Sequence, residues 1–158
     1  MTLNEHIENL ICQHVGGEAF FDELDNSFRT STSLMEDFCN IVMDFTIDGS
    51  FVVSGNFGRA FVNYLQANPK WKSHFKKVIC VNGGLRSGNK VDCLESFVSP
   101  NEDFIFLDDS FYKGRTRDVI KEEIERNGGH LIHTFVFYDG AKEFDGSVSS
   151  LYRYFDNH

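Results

Sequence analysis

A chain of 158 residues supplies one domain with a proper core and leaves little for a second. Its composition, 41% hydrophobic and 25% charged, is that of a soluble globular protein. The 24 acidic residues against 15 basic ones give a formal net charge of −9, which disfavours duplex nucleic acid and an anionic membrane as partners. A small phosphorylated ligand stays compatible, because it feels one local pocket and not the whole surface. Cys12, Cys39, Cys80 and Cys93 form no C-x-x-C pair, so neither a disulfide scaffold nor a Cys-rich zinc site is expected. Reduced, mostly buried thiols and a cytoplasmic protein follow. Met1–His6 has no basic leader, and no stretch reaches the ~20 apolar residues of a membrane span.

In chain order, Ile7, Leu10, Ile11, His14 and Val15 fall on one helical face, and Gly16-Gly17 ends that helix. Ser33-x-x-Glu36 has the form of a capping box before Leu34, Phe38, Ile41, Val42 and Phe45 at helical spacing. Ser50–Val53 is a short apolar run, and Arg59–Gln66 is helical. Val78–Val81 and Phe104–Leu107 are further runs, a helix extends from about Thr116 to Asn127, and Leu131–Tyr138 is a fourth run. Short apolar runs separated by helices predict an α/β fold with a parallel sheet covered on both faces. Ligands then bind beyond the carboxyl ends of the strands. The loops to inspect are 54–58, 82–92, 108–115 and 139–146.

One of these carries a specific pattern. Phe104–Leu107 runs straight into Asp108-Asp109, then Ser110-Phe111-Tyr112-Lys113-Gly114-Arg115-Thr116, then a helix with Val119, Ile120 and Ile124. The charged pair is expected at the solvent-facing tip of the strand. A Gly-containing turn at a helix N-terminus presents backbone N–H groups to an anion, and the helix dipole adds to the attraction. Carboxylates beside a phosphate suit another part of the same ligand: vicinal hydroxyls and a hydrated Mg2+. Ribose 5-phosphate has both features.

The segment resembles the phosphoribosyl pyrophosphate (PRPP) motif of type I phosphoribosyltransferases. Asp-Asp-x-x-Tyr-x-Gly-Arg-Thr is most similar to the version in the pyrimidine-operon attenuators with uracil phosphoribosyltransferase activity. The resemblance spans Phe51 to Gly140 and is strong from Phe104 to Thr116. It implies one domain: a helical N-terminal hood (1–48), a core (49–140) and a C-terminal tail (141–158). It also implies transfer of phosphoribosyl from PRPP to a nitrogenous base in nucleotide salvage or related metabolism. Asp108 and Asp109 would hold the ribose hydroxyls, directly or through Mg2+, and Tyr112, Lys113, Gly114, Arg115 and Thr116 would hold the 5-phosphate.

Gly55, Asn56, Gly58 and Arg59 lie where the family has its pyrophosphate loop, although Phe57 stands where a basic residue is usual. Arg86 and Lys90 lie in the position of the mobile loop, where they would neutralise departing pyrophosphate. Both segments also read as an ordinary Gly turn and ordinary solvated loop charges. The 6-oxopurine enzymes place an acid at the position of Tyr112, and its lack implies a substrate needing little help with deprotonation. Tyr138, where the fourth run ends, is the better aromatic for stacking a base. Phe144, Tyr152, Tyr154 and Phe155 read as core or homodimer contacts, and His130-x-x-His133 as structural. A non-catalytic PRPP- or nucleotide-sensing module of the same fold is the alternative function.

Overall fold

The apolar runs pair side by side in one sheet. A computed structural model of the chain describes residues 3–13, 18–45, 50–81 and 98–158. Its strands are β1 (Ser50–Ser54), β2 (Lys77–Val81), β3 (Asp103–Phe111), β4 (His130–Asp139) and β5 (Val148–Arg153). They lie in the order β2-β1-β3-β4-β5, and each neighbouring pair is parallel. Helices α1 (Leu3–Gln13), α2 (Glu18–Thr30) and α3 (Thr32–Phe45) precede the sheet. Helix α4 (Gly55–Ala67) leads from β1 towards β2, α5 (Arg115–Arg126) joins β3 to β4, and the short α6 (Tyr154–Asn157) follows β5.

Alternation along each strand divides the core between two faces. Phe51, Val53, Ile105, Leu107, Phe135 and Phe137 form one cluster with α1–α4, including Ile7, Leu24, Phe38 and Phe61. Val52, Ile79, Phe104 and Phe106 meet Ile120 and Ile124 of α5 on the other face. This two-sided burial is why β1 and β3 read as unbroken apolar runs. The abundant phenylalanines fill the larger cluster. Phe38 stacks on Phe137 at 4.1 Å between ring centroids and meets Phe57 edge-on at 5.8 Å.

Four details differ from the sequence reading. Strand β5 lies where a tail was expected. Its Val148-Ser149-Ser150-Leu151-Tyr152-Arg153 mixes polar with apolar residues, and as the edge strand beside β4 it needs no continuous apolar run. Helix α4 begins at Gly55, so the segment 55–59 is its first turn and not a loop. Gly58 there is a packing residue, since a Cβ would sit 3.1 Å from the Val53 carbonyl carbon and 3.2 Å from Cys80 Sγ. The Ser33–Glu36 capping box does not form: Leu34 N–H donates to Ser31 Oγ, while Glu36 takes hydrogen bonds from Tyr64 and Lys70.

The cysteines fit the expectation in part. Cys39 is buried, and burial pushes its thiol up to about 12, which keeps it unreactive. Cys12 is exposed. Among the described residues no helix is long and apolar enough to cross a membrane.

Candidate functional site at the carboxyl ends of β1 and β3

The strand order fixes where a ligand can enter. From β1 the chain moves to β2 on one side and then returns to β3 on the other. Helix α4 leaves on one face and α5 on the opposite one. The connections therefore part between β1 and β3 and leave a crevice beyond their carboxyl ends.

The acid pair sits at this crevice, though not as a free tip. Strand β3 runs on to Phe111, and pairing with β4 continues through Asp108↔Val136, Ser110↔Tyr138 and Phe111↔Asp139. Pairing with β1 stops at Val53↔Leu107. Asp108 and Asp109 are thus the first residues past the last β1–β3 pair, half-buried, on a strand still held on its other edge. This corrects the expectation that the pair sits at the solvent-facing tip of the strand; the loss of one neighbouring strand suffices for charge to appear within β3. Successive side chains of a strand project to opposite faces, so the two carboxylates flank the backbone. Asp108 Oδ1 accepts the Asp109 N–H at 2.9 Å.

Both helices that start at the crevice begin without a side-chain cap. Ser54 precedes α4 and makes no cap hydrogen bond. Gly114 precedes α5 in the left-handed region, at φ 73°. Their first-turn N–H groups are the donors that anions use. Tyr112, Lys113 and Arg115 are exposed, Thr116 is half-buried and Gly114 is buried. A Cβ at Gly114 would lie 3.1 Å from Phe111 Cζ and 3.2 Å from Arg117 Nη2. This turn therefore needs glycine for its backbone angle and for packing beneath it.

A neighbouring group that the sequence did not single out fixes the head of α5. Arg117 bonds Asp118 at 2.7 Å and Asp145 at 3.1 Å, reaches Ser147 Oγ at 3.0 Å, and lies over the Phe111 ring at 5.2 Å. No local spacing links Arg117 to a carboxylate 28 positions away, so only the fold reveals the tie. The Ser147 hydroxyl and N–H, with Arg117, hold the Asp145 carboxyl below the usual carboxylate range. A lowered folded pKa stabilises the fold above the unfolded value and is lost as pH falls through the folded one. Asp145→Asn should accordingly flatten the drop in thermal stability below about pH 4, the ordinary Asp range. An unchanged acid limb in a pH series of melting curves would count against this tie.

At the end of β4 the picture differs from the sequence reading. Tyr138 is 7% exposed, stacks on Tyr152 at 5.9 Å and is met edge-on by Phe20 at 4.9 Å. Burial pushes its hydroxyl up to about 12. Its ring is occupied by core contacts, so it is not a stacking platform for a base. The exposed aromatic here is Tyr112, 57% exposed, which lies over Gly140, where a Cβ would be 3.2 Å from its Cδ2. Asp139 is buried, and burial pushes its carboxyl up against the Ala141 N–H and Arg153.

The remaining site candidates separate. Gly55 turns the chain from β1 into α4 at φ 64° with open space beside it. Asn56 and Arg59 bond each other and line a cleft between α3 and α4 that includes none of residues 108–116. Arg86 and Lys90 lie outside the described residues. His133 stacks on Phe45 at 4.3 Å and bonds Ser149 at 2.7 Å, a structural role. No group of three or more metal-ligating side chains occurs among the described residues.

No family model matches the sequence, and a search of curated proteins finds no relative. Solved structures do match in fold. The adenine phosphoribosyltransferase of Thermoanaerobacter pseudethanolicus aligns with a TM-score of 0.56 at 12% identity, over 77% of this chain and 79% of that one. A second adenine phosphoribosyltransferase aligns with a TM-score of 0.51 at 10% identity, over 75% and 78%. The five-stranded parallel sheet with helices on both faces is thus the phosphoribosyltransferase-like α/β fold.

Proposed function

We propose that the crevice binds PRPP and that the protein transfers its phosphoribosyl group to a nitrogenous base. The observation that carries this reading is the placement of Asp108, Asp109 and the Gly114 turn together at the β1–β3 crevice. Asp108 and Asp109 take the ribose hydroxyls, and the uncapped head of α5, with Thr116, takes the 5-phosphate. Lys113 and Arg115 add positive charge beside it. The N–H groups at Gly55 face the pyrophosphate. Asn56 and Arg59 stand outside this assignment, because their side chains line the α3–α4 cleft.

The donor set fits Mg2+. The pair offers hard carboxylate oxygens and too few of them for a cage, which suits an ion held mainly by water and substrate oxygens. When bound, the ion would shield the pyrophosphate charge. The reacting ribose carbon becomes oxocarbenium-like, so the chain contributes by charge placement more than by proton transfer. Tyr112, exposed beside the turn, supplies no carboxylate base. This agrees with an acceptor of the uracil type, as the Asp-Asp-x-x-Tyr-x-Gly-Arg-Thr pattern suggests.

Calorimetric titration with PRPP and Mg2+, followed by a screen of bases for pyrophosphate release, tests the reading. Failure of PRPP to bind would overturn it. Binding without turnover would favour the sensing module, for which the lack of a basic residue at Phe57 also speaks. If the protein is an enzyme, Arg86→Ala with Lys90→Ala should lower kcat at least tenfold, ~1.4 kcal/mol, with a smaller effect on substrate binding. Cations that act on departing pyrophosphate contribute mainly in the transition state. Turnover that survives the double substitution unchanged would remove these two residues from the assignment.

A further inference from the structure

The cleft between α3 and α4 is built from residues that the crevice does not use. It is an open cleft of about 480 Å3, within the ~300–1,000 Å3 of small-molecule sites, and its polar wall is Ser31, Thr32, Asn56, Arg59, Asn63, Tyr64 and Asn68. Met35 and Ala60 contribute apolar surface. The lining holds one cation and no carboxylate, although the chain carries 24 acidic residues.

The state of Arg59 is the telling feature. Arg117, Arg126 and Arg153 are each paired with carboxylates. Arg59 has no carboxylate partner among the described residues, and its guanidinium donates instead to the Asn56 amide oxygen. That bond aims the guanidinium while leaving its positive charge uncompensated. The nearby Glu36 does not compensate it either, being engaged by Lys70 and Tyr64. Asn68 spends one amide N–H on the Tyr64 carbonyl, which leaves its amide oxygen as an acceptor. A planar cation flanked by amides and hydroxyls, with the one acid behind the wall, Glu36, tied to Lys70 and to the lining Tyr64, matches an oxyanion that also carries hydroxyl groups.

We infer that the α3–α4 cleft is a second ligand site, which takes a small phosphate ester bearing hydroxyl groups, anchored on Arg59. The site shares no lining residue with the 108–116 turn, so its occupancy is read separately from PRPP binding in the crevice.

The test uses glycerol 3-phosphate as probe and two-dimensional NMR of the full chain. Saturable shifts are expected at the Asn63 and Asn68 side-chain amides and at Arg59 Nε, with a Kd at or below about 10 mM. Arg59→Gln should weaken binding at least tenfold, and Asn63→Leu should also weaken it. Asp108→Asn, which alters no lining residue of the cleft, should leave it unchanged. Three results would each overturn the inference: no saturable shift at these groups, shifts confined to residues 108–116, or equal binding by Arg59→Gln. Because Arg59 and Asn63 are exposed, both variants should fold, and the melting temperature of each checks this.

Discussion

Replacing Asp108 and Asp109 together by Asn is expected to raise the Kd for PRPP with Mg2+ at least a hundredfold, ~2.7 kcal/mol, while the protein still folds. Hydrogen bonds to a charged group contribute ~1.5–3 kcal/mol each, and both carboxylates are assigned to the same ligand. Their surroundings make the change tolerable to the fold. Both are only half-buried, and the acceptor that Asp108 offers to the Asp109 N–H is kept by an Asn amide oxygen. Strand pairing on the β4 side uses the backbone alone. Titration calorimetry and a thermal melt read the two halves of the prediction. Near-native affinity would remove the pair from the ribose site, and a collapsed melt would mean that the carboxylates are structural.

Gly114→Val is the substitution with the largest expected effect on stability, a loss of roughly 3 kcal/mol. Two costs add. The left-handed backbone at φ 73° is strained for a branched residue, at ~1–3 kcal/mol. The new Cβ would also press on Phe111 and Arg117, at 3.1 and 3.2 Å, with overpacking typically costing ~1–3 kcal/mol. For a chain of this size that corresponds to a fall in melting temperature of roughly 6–12 °C. Gly114→Ala should cost less, since it meets the same backbone strain with a smaller side chain. The sequence alone suggests a different reason for this glycine, namely that a Cβ would crowd an incoming phosphate. The structure puts the Cβ against the chain's own aromatic ring, so weakened ligand binding would follow from a displaced turn. A Val variant as stable as the wild type would refute the packing argument.

The apolar runs at Phe51–Val53 and Phe104–Leu107 are visible because strands buried on both faces leave an unbroken apolar signature, and those at Val78–Val81 and Leu131–Tyr138 because β-branched and aromatic residues favour strands. The α5 helix was visible from Ile120 and Ile124, one turn apart, and from the glycines that follow it. Together they suffice for an α/β fold with a parallel sheet and for the carboxyl edge as the place of a site. The Asp108–Thr116 pattern marked one loop among four as the one to inspect.

Other features depend on partners distant in the chain, and only the tertiary structure decided them. Strand β5 is an edge strand whose mixed pattern carries no burial signal, and its identity comes from pairing with β4. The acid pair could stay within β3 because β1 ends beside it, and the length of a neighbouring strand cannot be read from the acids themselves. Tyr138 looked available from its position at a strand end, yet Phe20 and Tyr152, 118 and 14 positions away, occupy its ring. Arg59 is adjacent to a packing glycine in sequence, but one step of 100° around a helix turns it from the sheet to the α3 side. Sequence spacing fixes the elements and their amphipathic faces. Which side chains converge is set by strand order and helix rotation, which are properties of the whole chain.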